Sequence, residues 1–235
     1  MNREDAKLVL KLQEVDLQIK RFETRVKRIR EELKKLREEL EALLKEKEDL
    51  LRKKEELERL RKELRQEIEE AEEQLRRTEE RLMQVTRDTE YKALLREKAK
   101  LEDKILKKSY ELEELEKELE RLTKKIEELV PKIERKIKDL EEEIEELELE
   151  ERSLLERLKE AEKEREEVKR GVPEELLRFY EEGKEHFEGL VLVPVEEEAC
   201  SGCGIKIPSL LLSKMIKEES IEHCPTCGRF IYYKL

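Results

Sequence analysis

Four cysteines stand in the pattern C-x2-C-x20-C-x2-C, at Cys200, Cys203, Cys224 and Cys227, and the chain has no others. Two residues between thiols let both sulfurs of a tight turn reach one ion. A glycine follows each pair, at Gly204 and Gly228, where a positive φ costs little. Pro225 pre-sets the second turn. Two such turns supply the closed, tetrahedral, all-sulfur shell of one structural zinc ion. A redox CxxC pair is the weaker reading, because two matched turns favour one shared ion. Iron held by the same two turns, as in rubredoxin, lacks here the aromatic cluster that covers such a site. His223 adjoins Cys224 and His186 lies upstream. With four thiols completing the shell, both are read as surface residues. A catalytic zinc keeps a position open for water, so a four-thiolate zinc is structural.

A module of this size cannot bury enough surface to fold alone. Zinc binding supplies about 10–16 kcal/mol in small peptides, enough to decide folding. Within it, IPSLLLSKMIKEES reads as a short helix after Pro208 and Ser209, and Ile205, Ile207, Phe230 and Tyr232 read as strand residues around the turns. Upstream, Arg170-Gly171-Val172-Pro173 breaks a helix, with glycine suited to a C-cap and proline to the first position of the next. PEELLRFYEEGKEHF then forms a third helix, ended by Gly189. LVLVPV, residues 190–195, is β-prone, and Pro194 points to an edge strand.

The rest of the chain must present this module. Apolar residues recur every seven positions from Leu8 through Val15, Phe22, Ile29, Leu36, Leu43, Leu50, Leu57, Leu64 and Ala71 to Thr78 and Val85. A second series, beginning Leu12, Ile19, Val26, Leu33, makes this an a/d heptad pattern. Between Lys47 and Arg61 the second series fails, and Leu44, Leu51 and Leu60 appear instead, so the seam is expected to drift or bend there. A second run starts at Tyr91 and continues past Pro131, where a mid-helix proline predicts a kink, to Val168. VTRDTEY, residues 85–91, separates the runs, with Thr86, Asp88 and Thr89 as candidate caps.

The spacing predicts an antiparallel coiled-coil hairpin over 1–170, turning near 85–89, kinked near 131 and 43–60, and roughly 120 Å long. A second region, 171–235, carries the short helix and the cysteine module. If the turn centres near 87, paired residue numbers total about 174. The basic block 20–37, with nine Lys and Arg against three Glu, then faces DLEEEIEELELEE. Acidic 66–80 likewise faces basic 94–108. The basic block is therefore read as a coiled-coil flank rather than a nucleic-acid patch. The same complementarity would serve a swapped homodimer.

The totals agree. Of 235 residues, 51% are Asp, Glu, Lys or Arg, against about one quarter in an average domain. The formal net charge is −11, and there are no Trp, four Phe and five Tyr, so burial must come from a narrow seam. The single Asn and abundant Glu and Lys suit a hyperthermophile protein, although a coiled coil biases composition the same way. MNREDAKLVLKLQEVD has no basic-then-apolar signal pattern, and no run approaches the ~18 apolar residues of a membrane span. The expectation is a cytoplasmic protein with reduced thiols and no membrane contact. No phosphate loop, nucleophile–base pair or desolvated carboxylate pair is visible, so no enzyme is expected.

CSGCGIKIPSLLLSKMIKEESIEHCPTCGRFIYY, with PEELLRFYE and VLVPV before it, TEYKALLREKAKLE after the turn and LVLKLQEVDLQIKRFE at the start, resembles the bacterial C4-type zinc-ribbon, coiled-coil proteins, a family labelled as nucleic-acid-binding. The resemblance covers the whole chain. It implies a mostly α fold, a long kinked antiparallel coiled-coil hairpin followed by a small C-terminal zinc ribbon, with the four cysteines as ligands. Some relatives are linked to flagellar or type III secretion and to an alternative sigma factor. The sequence departs at KEHFEGL after Gly183, where a more basic approach to the strand is expected. The function expected is a non-enzymatic adaptor that binds protein partners, with Ile205, Ile207 and Leu210 to Leu212 as candidate contacts. RNA or DNA binding is the alternative, disfavoured because the module from Glu196 on has five Lys and Arg against six Glu.

Overall fold

Residues 3–233 are described by a computed structural model. The elements run α1 (Arg3–Gln84), α2 (Asp88–Gly171), α3 (Glu174–His186), β1 (Leu192–Glu196), β2 (Ala199–Cys200), α4 (Ser209–Glu218), β3 (Glu222–His223) and β4 (Phe230–Tyr232). The fold is mostly α, with a small sheet near the C-terminus. The two long helices leave only Val85, Thr86 and Arg87 between them. Asp88 and Thr89 already lie inside α2, and Asp88 holds Lys92 one turn on, at 2.7 Å. Among the described residues, no helix is long and apolar enough to cross a membrane.

The chain divides into two compact units, Lys35–Ile144 and the residues on either side of it. In Lys35–Ile144, the heptad residues Leu64, Ala71, Leu94, Leu115, Leu119, Ile126, Ile133 and Ile137 are buried. Thr78 sits in this seam because its hydroxyl donates to the Gln74 carbonyl of its own helix, at 3.0 Å. Lys47 meets Glu134 at 2.6 Å, Lys98 meets Glu79 at 2.7 Å and Lys108 meets Glu67 at 3.2 Å. The helix runs unbroken through Pro131. Leu44, Leu51 and Leu60 do not shift the seam: they face solvent, while Leu43, Leu50 and Leu57 stay half-buried.

In the other unit Leu12, Val15, Val26, Ile29 and Leu33 of α1 and Leu154 and Ala161 of α2 are buried. Lys11 pairs with Glu164 at 2.6 Å, and Arg25 grips Glu150 through two bonds of 2.8 and 3.0 Å. Within one chain, then, 11 with 164, 25 with 150 and 67 with 108 each total 175, the register expected from charge. The acidic block answers only part of the basic one. Arg25 and Arg30 reach Glu150 and Glu151, but among the described residues no carboxylate pairs with Lys20, Arg21, Lys27 or Arg28.

The strands form one sheet in the order β2-β1-β4-β3. β1 lies parallel to β4 and antiparallel to β2, and β3 lies antiparallel to β4. Pro194 is thus inside the sheet, not on its edge. β4 pairs with β1 over 192–194, and β2 begins only opposite Val195. The Pro194 carbonyl accepts from the Ser201 amide at 3.1 Å, so the proline nitrogen points to the same side, where no ladder has yet started.

Candidate metal centre

The two cysteine turns repeat one geometry. In the first, the Gly204 N–H donates to the Cys200 carbonyl at 2.7 Å and the Cys200 N–H donates to Ile205 at 2.9 Å. In the second, Gly228 donates to Cys224 at 2.9 Å and Cys224 donates to Arg229 at 2.8 Å. Both turns close through a left-handed glycine, Gly204 at φ +73° and Gly228 at φ +80°. A Cβ on Gly204 would meet nothing within 4 Å, so there the backbone angle alone requires glycine.

The four sulfurs lie within 4.8 Å of one another, with Cys200 and Cys227 at 3.9 Å and Cys203 and Cys224 at 3.8 Å. Zinc–sulfur bonds of about 2.3 Å in a tetrahedron give edges of about 3.8 Å. The residues therefore fit one zinc ion, and all four expected ligands come together. Backbone N–H groups of Gly202 and Cys203 face the Cys200 sulfur, and that of Arg229 faces Cys227. Burial pushes the free Cys200 thiol up to about 12. Cys227 is drawn down to about 7, its own burial being outweighed by the Arg229 backbone and side chain. Binding an ion here displaces thiol protons. Zinc, when bound, supplies a cross-link between the two turns; the chain's own N–H groups spread the thiolate charge.

Cys200 and Cys224 also belong to the ribbon's apolar cluster, with Val193, Val195, Ile207, Met215 and Ile231. α4 supplies Met215 and begins after Pro208, as the sequence predicts. Ile205 and Ile207 are not strand residues: Ile205 is 49% exposed on the first turn, and Ile207 is buried in this cluster just before Pro208. His223 stands apart from the sulfurs. Its Nδ1 lies 3.1 Å from the Gly228 carbonyl, and its ring packs on Phe230 and Phe179. His186 packs edge-on against Phe187.

Sequence reasoning missed the residues that fasten this centre to the helices. Gln13 is buried on α1; its side-chain oxygen accepts the N–H of Val191 at 2.8 Å and of Leu192 at 2.9 Å, and its amide donates to the Leu192 carbonyl at 2.9 Å. Asp16, one turn on, accepts from Arg165 at 2.7 Å, from the Tyr180 hydroxyl at 2.8 Å and from Lys184 at 3.1 Å. Burial alone would raise the Asp16 pKa; these three bonds outweigh it and hold the carboxyl below its usual range. Burial, then Asp16 itself, pushes the Tyr180 hydroxyl far up. Arg229 joins the two turns: its Nε donates to Leu190 at 2.9 Å, its guanidinium lies 4.8 Å from the Phe187 ring centre, and its Cδ fills the space a Cβ on Gly202 would need. The only signal for Gln13 and Asp16 was two polar residues, neither Glu nor Lys nor Arg, beside the seam positions Leu12 and Val15.

Solved structures share this fold, among them the three that follow. CT398 from Chlamydia trachomatis is 21% identical, covers 98% of both chains and gives a TM-score of 0.77. The HP0958 protein from Helicobacter pylori is 20% identical, with 99% of this chain and 98% of that one covered, at a TM-score of 0.52. A protein from Mycobacterium smegmatis is 20% identical, with 100% and 99% covered, at a TM-score of 0.53. A comparison with curated proteins finds no match. The family model described as a C4-type zinc ribbon domain matches residues 199–231, the segment that holds all four cysteines in ligating geometry, and this part of the chain is a C4-type zinc ribbon.

Proposed function

We propose that the protein is a non-enzymatic adaptor that binds a protein partner through its zinc ribbon. The observation that carries this reading is how the ribbon is mounted. Gln13 and the Asp16 cluster clamp its approach to α1, while Ile205, Leu210 and Ile216 are left in solvent. A shell of four thiolates offers an ion no position for water or substrate, which supports a structural metal. The family resemblance makes an alternative sigma factor and secretion components the first partners to try.

The test is affinity purification from the native cell with the full chain and with its Cys224→Ser/Cys227→Ser variant. Partners kept by the first and lost by the second are expected. The same partners on both would move the activity to the helices and defeat the reading. Submicromolar RNA or DNA binding with a steep salt slope would replace it with the nucleic-acid alternative.

A further inference from the structure

We infer that the outer face of α4, with Leu210 at its head, docks an acidic segment of a partner protein that carries aliphatic side chains at helical spacing. The inference rests on the adaptor reading. Residues 199–217 contain Lys206, Lys214 and Lys217 and no Asp or Glu, in a chain of net charge −11. α4 turns Met215 into the ribbon core, with Leu211 and Leu212 packed against it. Helical spacing therefore puts Leu210, Ser213 and Lys217 on the opposite side, with Lys214 and Ile216 on its two flanks. Leu210 is 87% exposed, Ile216 is 48% exposed, and Ile205 just before the helix is 49% exposed. Lys214 is tied to Glu222 at 2.7 Å, but among the described residues no acidic group pairs with Lys206 or Lys217.

An apolar knob rimmed by free cations is complementary to an aliphatic side chain rimmed by carboxylates. The apolar contact supplies affinity, and the charges supply encounter rate and orientation. Other docking modes fit less well. The outer strands β2 and β3 have two residues each, too short to template an added strand. Phosphate backbones need clustered Lys and Arg. This face has three lysines, no arginine and no aromatic on which a base could stack. The 10 residues of α4 span about 15 Å, which matches two to three turns of a partner helix.

The experiment uses the full chain with the photoreactive residue p-benzoylphenylalanine in place of Leu210, irradiated in the native cell, with the cross-linked peptide sequenced. The expected product is a net-negative segment with aliphatics three or four residues apart. Its yield should fall at least about fivefold when Lys206→Glu and Lys217→Glu are added, with zinc content unchanged. Cross-links to RNA or DNA, to a second copy of this chain or to a basic segment would overturn the proposal. So would an absence of cross-links, or a yield indifferent to the charge reversal. A Leu210→Glu chain that keeps every partner the cysteine variant loses would sink this face alone. Partners retained by both variants would sink the adaptor reading with it.

Discussion

Replacing Gln13 by methionine keeps the length of the side chain and removes both of its polar ends. In the native protein this side chain serves the Val191 N–H, the Leu192 N–H and the Leu192 carbonyl, and Gln13 is 5% exposed. The variant leaves three backbone groups without partners. Each buried orphan costs about 1–3 kcal/mol, but neighbouring Leu190 is partly exposed and lets water in, so about 4 kcal/mol in total is a reasonable expectation. Amide hydrogen exchange reads this locally. At about 1.4 kcal/mol per factor of ten, Val191 and Leu192 should exchange about a thousandfold faster. The Ile126 amide, in the other compact unit, should not change. Gln13→Glu keeps the acceptor for both N–H groups and loses the donor, so it should fall between the two. Unaltered exchange at Val191 and Leu192 in the methionine variant would refute the claim that Gln13 fastens the ribbon; equal acceleration at Ile126 would show a general loosening instead.

Elemental analysis should find one zinc per chain, and EDTA should remove amide protection across residues 199–231 while hardly changing helical circular dichroism, since α1 and α2 hold 82 and 84 residues. Asp16 has a folded pKa below its unfolded one. Its contribution is therefore complete above the ordinary range near pH ~4 and disappears as pH falls through the lowered value; thermal melts between about pH 5 and 2 should show this, and Asp16→Asn should flatten that part of the profile. Gly228→Ala forces a side chain into φ +80° at a cost of about 1–2 kcal/mol, and should speed zinc transfer to a chromogenic chelator about five- to thirtyfold.

The metal site was legible because its information is local. The Cys200–Cys203 and Cys224–Cys227 turns each carry their own geometry in a few residues, and the glycine after each pair marks the angle that closes it. The long helices were legible because a heptad repeats its message many times. Even their register could be read, since Arg25 with Glu150 and Lys108 with Glu67 are recorded as opposed charge blocks. The fastening of the ribbon was not legible. Gln13 meets Leu192 across 179 residues, and nothing near either announces the other. Pro194 misled for a related reason: the rule for proline assumes that both neighbours of a strand run its whole length, whereas here each covers a different part. Leu44 and Leu51 misled because their spacing suits a seam, and only the opposing helix decides which leucines it accepts.

β1 and β4 act as a party wall. Leu192 and Phe230 lean into the cluster that holds Ala6, Val9 and Tyr180, while their neighbours Val193 and Ile231 lean toward the cysteines. A wall shared in this way cannot sag on one side alone. Loss of the ion would slacken the sulfur side first, and the same strands would then release the opening turns of α1, so that metal occupancy is felt at the far end of the sequence as well as at its own.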